Sequence, residues 1–270
     1  MEALPAFALA LAGTGLVAGL IAGLLGVGGG IVIVPVLDAV LIGAGVAPEW
    51  SMNVAVATSL ATIVPTSIAS ARAHHARGAV NWPLARRWGG PIVAGAFVGG
   101  LLAARASSAG LAALFGIVAA VVATRMFLPF DRLRLAPSPP RGLPGAATGT
   151  GIGALSAMLG IGGGTLAVPA LTLAGEPIHR AVATAAFFGL LVSGPGTLAY
   201  LLALPAAELP PGTVGLVNLP GVALIALATI VTVPLGARIA HALGPRALSM
   251  AFGAFLLMVA ARMLWRVIVV

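Results

Sequence analysis

The chain has 270 residues, 60% of them hydrophobic and only 7% charged, with a net charge of +8 and no cysteine. A soluble domain needs roughly a quarter charged residues to cover its surface, so this composition excludes a water-facing shell. The lack of cysteine excludes disulfides, thiolate metal sites, iron–sulfur clusters and thiol nucleophiles.

Apolar segments run over 4–25, 30–46, 52–72, 82–104 and 109–128. A polar, Pro-rich stretch follows from Phe130 to Pro144. The segments then resume over 142–159, 164–175, 179–204, 214–241 and 246–268. Many approach the length of about 20 residues needed to cross hydrocarbon. Lipid offers backbone groups no water, so the spans are expected to be helices. The N-terminus opens Met-Glu-Ala-Leu-Pro without a basic region. The apolar run behind it is too long for a signal-peptide core, so it reads as a retained first helix.

The two sets of five match in order. Gly26-Val27-Gly28-Gly29-Gly30 leads to Pro35, and Gly160-Ile161-Gly162-Gly163-Gly164 leads to Pro169. Ala55–Ser59 answers Ala181–Ala185, Asn81-Trp82-Pro83 answers Asn218-Leu219-Pro220, and Thr124–Phe127 answers Ala261–Leu264. The expected organisation is a first transmembrane repeat over 1–129, a cytoplasmic linker over 130–144 and a second repeat over 145–270. Five-segment repeats in tandem are necessarily inverted, a recurring plan of secondary transporters.

Charge sets the orientation. With the N-terminal side called A, only Arg105, Arg262 and Arg266 lie there, beside Glu2, Glu49 and Glu208. The other arginines, Arg72, Arg77, Arg86, Arg87, Arg125, Arg132, Arg134, Arg141, Arg180, Arg238 and Arg246, fall on or near side B. The positive-inside rule makes side B cytoplasmic and puts the N-terminus outside. That asymmetry, with no soluble basic domain, accounts for the net charge and argues against nucleic-acid binding.

The second segment of each half is too short to cross a core of about 30 Å. Segments one and two of each half therefore read as a hairpin with a Gly-rich tip in the membrane. Counting the hairpins as single entries gives eight spans; counting every segment gives ten. The fold class is an all-α polytopic membrane protein of two inverted repeats, each with a Gly-broken hairpin.

Three glycines in a lipid segment give up about 1 kcal/mol each relative to Ala. The functional reading is a break that exposes backbone N–H groups beneath the positive end of a half-helix, an anion site without a buried cation. This selects Gly28, Gly29 and Gly30, and Gly162, Gly163, Gly164 and Thr165. Gly15, Gly19 and Gly23 form a GxxxG ladder and read instead as helix packing. Pro35 and Pro169 leave two options: the helix starts there, with 31–34 and 165–168 extended, or it is kinked there.

Thr58, Ser59 and Thr184 occupy matched places in the third segments, where a hydroxyl either meets a solute or bonds back to its own helix. Asn53 is a buried amide that needs partners, and Ser67 and Ser193 are weaker candidates. Asp38 is an acid in an apolar segment and a candidate for ion coupling. His179, at the cytoplasmic mouth with Arg180, is the other. His74, His75, His179 and His241 show no metal-ligand spacing, and no catalytic set or phosphate loop is present, so neither an enzyme, a metal site, a cofactor nor an ATP-driven pump is expected.

The runs GLLGVGGGIVIVPVL, NVAVATSL and AHHARGAVNW, with AMLGIGGGTLAVPAL and HRAVATAA in the second half, resemble the sulfite exporter TauE/SafE family of membrane permeases. The resemblance implies a bacterial inner-membrane secondary carrier for small anions such as sulfite, sulfoacetate or other organosulfonates. The alternative is a passive anion channel. The partners implied are the anion, the lipid bilayer and, for an ion-coupled carrier, a proton or sodium ion. The second half departs from the family's small polar element at Ala185, where the first half has Ser59, so a symmetric hydroxyl site is not implied.

Overall fold

The computed structural model describes residues 3–25, 29–127, 136–205, 209–242 and 245–269. Gly28 and the first part of the linker, 130–135 with Arg132 and Arg134, lie outside the described residues.

The described residues form ten helices and one small hairpin. The first half holds α1 (Ala3–Leu25), α2 (Gly30–Gly43), α3 (Pro48–Ala76), α4 (Trp82–Arg105) and α5 (Ser108–Phe127). The second holds α6 (Gly142–Leu159), α7 (Gly164–Leu173), α8 (Ile178–Leu201), α9 (Leu219–Ala242) and α10 (Pro245–Val269). The strands β1 (Thr213–Val214) and β2 (Val217–Asn218) precede α9. The sequence placed 214–218 in a helix. Instead Gly212 and Gly215, at φ of +79° and +58°, turn the chain into an antiparallel pair whose Leu216 and Val217 are buried.

The architecture is an all-α polytopic membrane protein. Helices α3, α5, α8, α9 and α10 are long and apolar enough to cross a bilayer. Large apolar side chains stand exposed on the outer helices, among them Leu9, Val121, Leu227, Val231 and Met258. Such a surface suits lipid and not water. At the centre, α3 is buried without a break from Ser51 to Ile63, as expected for a helix enclosed on all sides.

Helices α2 and α7 have 14 and 10 residues. At 1.5 Å per residue they reach about 21 and 15 Å, short of the hydrocarbon core. Both begin at the last glycine of their run, so 31–34 and 165–168 are helical, not extended. Pro35 and Pro169 lie inside the helices, where they leave the carbonyls of Ile31 and Thr165 without their usual helical donors.

The main helix pairs keep their partners when the two halves are exchanged. Helix α1 lies along α9 and α6 along α4; α3 meets α8, and α5 meets α10. The close pairs are set by glycine. A Cβ at Gly15 would stand 2.7 Å from Ala228 Cβ, and one at Gly19 2.7 Å from Thr229 Cα. In the other pair, a Cβ at Gly95 would collide with the Thr150 carbonyl oxygen and one at Gly153 with that of Ile92. Small residues let the backbones approach, which is what drives helix association in lipid.

Candidate functional site

The two glycine breaks meet in the core. Gly29 turns with φ of +68°, and its carbonyl accepts from the N–H groups of Val32 and Ile33 at 2.9 Å to start α2. Helix α6 ends at Gly160, with φ of +65°, and Ile161 N–H donates to the Ser156 carbonyl at 3.0 Å. This left-handed residue followed by a backward bond is the usual C-terminal glycine stop. A Cβ at Gly30 would stand 2.5 Å from the Gly160 carbonyl oxygen, so the breaks touch each other through bare backbone. Ser59 Oγ on α3 donates to that same Gly160 oxygen at 2.8 Å.

Beyond Gly160 the chain runs without regular structure to α7. Among the described residues, none of the amide N–H groups from Gly162 to Leu166 has an acceptor. The first four N–H groups of any helix lack an intrahelical partner, and a side-chain cap normally satisfies some of them. Here the N-cap is Gly163, which has no side chain to do so. A Cβ at Gly163 would stand 2.9 Å from Gly189 N and at Gly162 3.6 Å from Ile63 Cγ2, whereas one at Gly164 would enter open space.

Four hydroxyls on α6, α7 and α8 are uncommitted among the described residues. Thr165 Oγ1 in the first turn of α7, Ser156 Oγ in the last turn of α6, and Ser193 Oγ and Thr197 Oγ1 on α8 have no hydrogen-bond partner. Ser156 and Ser193 are fully buried and Thr165 is 4% exposed. Gly189 of α8 faces Gly163, and Ser193 follows it by one helical turn. A buried polar group without a partner costs on the order of 1–3 kcal/mol, so each of the four calls for an explanation.

Several other expected site residues are bonded within the fold, although Asn53 Oδ1 has no partner among the described residues. Asn53 Nδ2 donates to the carbonyls of Ala103 and Ala106, each at 3.0 Å, and closes the C-terminus of α4. Thr58 Oγ1 accepts from Asn218 N–H, and Thr184 Oγ1 accepts from Asn81 N–H, both at 3.0 Å. The matched threonines thus tie each half's third segment to the turn before the other half's fourth. His179 is exposed in the first turn of α8, and Arg180 beside it lies 3.6 Å from Glu176. Ser67 Oγ would stand 3.0 Å from a Cβ at Gly189.

Asp38 is fully buried and paired. Arg266 Nη1 donates to its Oδ1, Ser51 Oγ donates to the same oxygen at 2.9 Å, and Arg262 Nη2 lies 3.8 Å from Oδ2. The sequence placed both arginines on side A but did not join them to Asp38. The signal was available: a carboxylate in a membrane interior needs a cation.

Two cavities open elsewhere. One of about 390 Å³ includes Trp50, Arg105 and Leu216 in its wall. The other, of about 220 Å³, lies against Arg87, Trp88 and Arg141. Neither is lined by a residue of either break.

Comparison with known proteins agrees with this architecture. The family model described as Sulfite exporter TauE/SafE matches residues 11–263. A protein of Haemophilus influenzae named "Probable membrane transporter protein" is 34% identical over 250 residues, covering 92% of this chain and 95% of its own. One of Methanocaldococcus jannaschii, also named a probable membrane transporter protein, is 30% identical over 233 residues, covering 86% of each. No solved structure matches.

Proposed function

The chain belongs to the sulfite exporter TauE/SafE family and is a membrane transporter, and from that premise we propose that it is a secondary carrier which binds a small anion at the start of α7. The carrying observation is the run of N–H groups from Gly162 to Leu166 that have no acceptor among the described residues, with the unpartnered hydroxyl of Thr165 in the same turn. These are neutral donors at the positive end of a helix. They suit an oxyanion, which supplies several acceptors at once. Bonds to a charged acceptor are roughly twice as strong as neutral ones, and more so where water is excluded.

The family description supports sulfite as the first substrate to test, with sulfoacetate and other small organosulfonates beside it. Gly29 and Gly30 shape the opposite wall. The closed surroundings favour a carrier over an open channel. Access from either cavity requires a movement, and two halves of opposite direction supply the two accessible states. We place the repeats at 1–129 and 145–270, joined by the linker 130–144. The arginine distribution supports an inner membrane with the N-terminus outside.

The test is flux into liposomes carrying the purified protein, with labelled sulfite, sulfoacetate and a panel of small carboxylates. Saturable uptake of at least one sulfur oxyanion is expected. Absence of flux above protein-free vesicles for the whole panel overturns the reading. Unitary conductance steps in a planar bilayer replace the carrier with a channel.

A further inference from the structure

We propose that Asp38 and Arg266 are positioning residues that fix α2 in place, so that α7 is the half-helix that moves during transport. The inference rests on the carrier reading for its purpose but not for its geometry.

Arg266 gathers four elements. From α10 its Nη1 reaches Asp38 of α2, while the two N–H groups of Nη2 are shared among the Pro48 carbonyl at 2.7 Å and Ser51 Oγ at 2.9 Å, both on α3, and Ser108 Oγ of α5 at 2.8 Å. Ser108 Oγ also accepts from Met52 N–H at 3.3 Å, closing the ring. Arg262, one turn earlier on α10, donates to the Pro35 carbonyl of α2 at 2.7 Å. The planar guanidinium presents five donors in a fixed fork, so one arginine can hold several acceptors at set angles. Asp38 is fully buried and the Arg266 side chain only 9% exposed, which puts the knot where water does not weaken it.

The second half lacks this knot. Three residues past Pro169, where Asp38 stands three past Pro35, the chain has Thr172. Its Oγ1 donates only within α7, to the carbonyls of Val168 and Pro169 at 3.0 Å. Among the described residues no side-chain hydrogen bond leaves α7. Burial differs in the same sense. Helix α2 is buried over Gly30–Pro35 and again at Leu37, Asp38 and Leu41, whereas α7 buries Thr165, Ala167 and Leu171. Low burial and few tertiary hydrogen bonds mark the parts of a protein that open first. The fold is thus symmetric in its helices and asymmetric in what holds the two half-helices. The free donors sit on the loosely held one.

Hydrogen exchange read by mass spectrometry on the protein in lipid nanodiscs tests this without any substrate. Amides of 36–43 in α2 should exchange about tenfold or more slowly than those of 170–173 in α7, within the range that local opening spans. Asp38→Asn should raise exchange in α2 while leaving α7 unchanged. Ser108→Ala, a milder change that keeps both charges, should raise α2 exchange by a smaller factor and secures the test should Asp38→Asn fail to fold. In liposomes the folded variants should lose turnover with KM unchanged, since neither residue meets the anion. Equal exchange of α2 and α7 in the unaltered protein, or variants that leave α2 exchange unaltered, overturns the proposal. Slow α2, a response to Ser108→Ala and no protection of α7 by any anion would uphold the knot and remove the anion site.

Discussion

Thr165 and Ser59 carry the same kind of group a few ångströms from the same break, yet they do opposite jobs. Ser59 is bonded to Gly160; the Thr165 hydroxyl has no partner among the described residues. Thr165→Val keeps the shape and removes only the hydroxyl. Its folding cost should be near zero or negative, because an unpaired buried polar atom leaves with it. Losing one bond to an anion of about 1.5–3 kcal/mol should raise KM roughly 10- to 100-fold. Thermal unfolding in detergent and concentration-dependent flux measure the two sides; an unchanged KM removes Thr165 from the site. Ser59→Ala should behave in the reverse order. It strands the Gly160 carbonyl against Gly30 and should destabilise by about 1–3 kcal/mol, read as a lowered Tm. Residue type alone did not separate the two roles. Both are small hydroxyls in apolar segments, and which is spent on the fold depends on contacts more than 100 positions away, Ser59 to Gly160 among them.

The breaks, by contrast, were legible as elements, because a run of glycines in lipid is costly whatever surrounds it. The short second segments were legible too, since a helix of 10 or 14 residues cannot span. The hairpin ahead of α9 was not. Val214–Asn218 is a short apolar run, and periodicity over so few residues does not separate a strand from a helix start. Its consequence is structural: β2 ends in Asn218, which is 1% exposed and donates its N–H to Thr58. Asn81, in the matched turn, donates to Thr184 from a less buried position. Thr58→Val should therefore cost about 1–3 kcal/mol by leaving a deeply buried N–H unpaired, and Thr184→Val about 0.5–1.5 kcal/mol. The ordering of the two Tm values is the check. Equal losses would mean that burial of the partner does not set the cost.

At the scale of the whole molecule, the proposed pair of inverted halves works only if the bilayer fixes which mouth faces which compartment. The orientation proposed from the arginine asymmetry would run α3 from Pro48 outside to Ala76 inside. The chain has no cysteine, so single cysteines report sidedness without background. Ala44 closes α2 and Ala76 ends α3, and both are exposed. Ala44→Cys should react with a membrane-impermeant maleimide in intact cells, and Ala76→Cys only after permeabilisation. The reverse pattern would place the arginine-rich loops outside. It would leave the fold intact while exchanging the faces at which the anion enters and leaves. The knot around Asp38 would then hold α2 at the cytoplasmic face, and α7, which enters from the other side, would open outward.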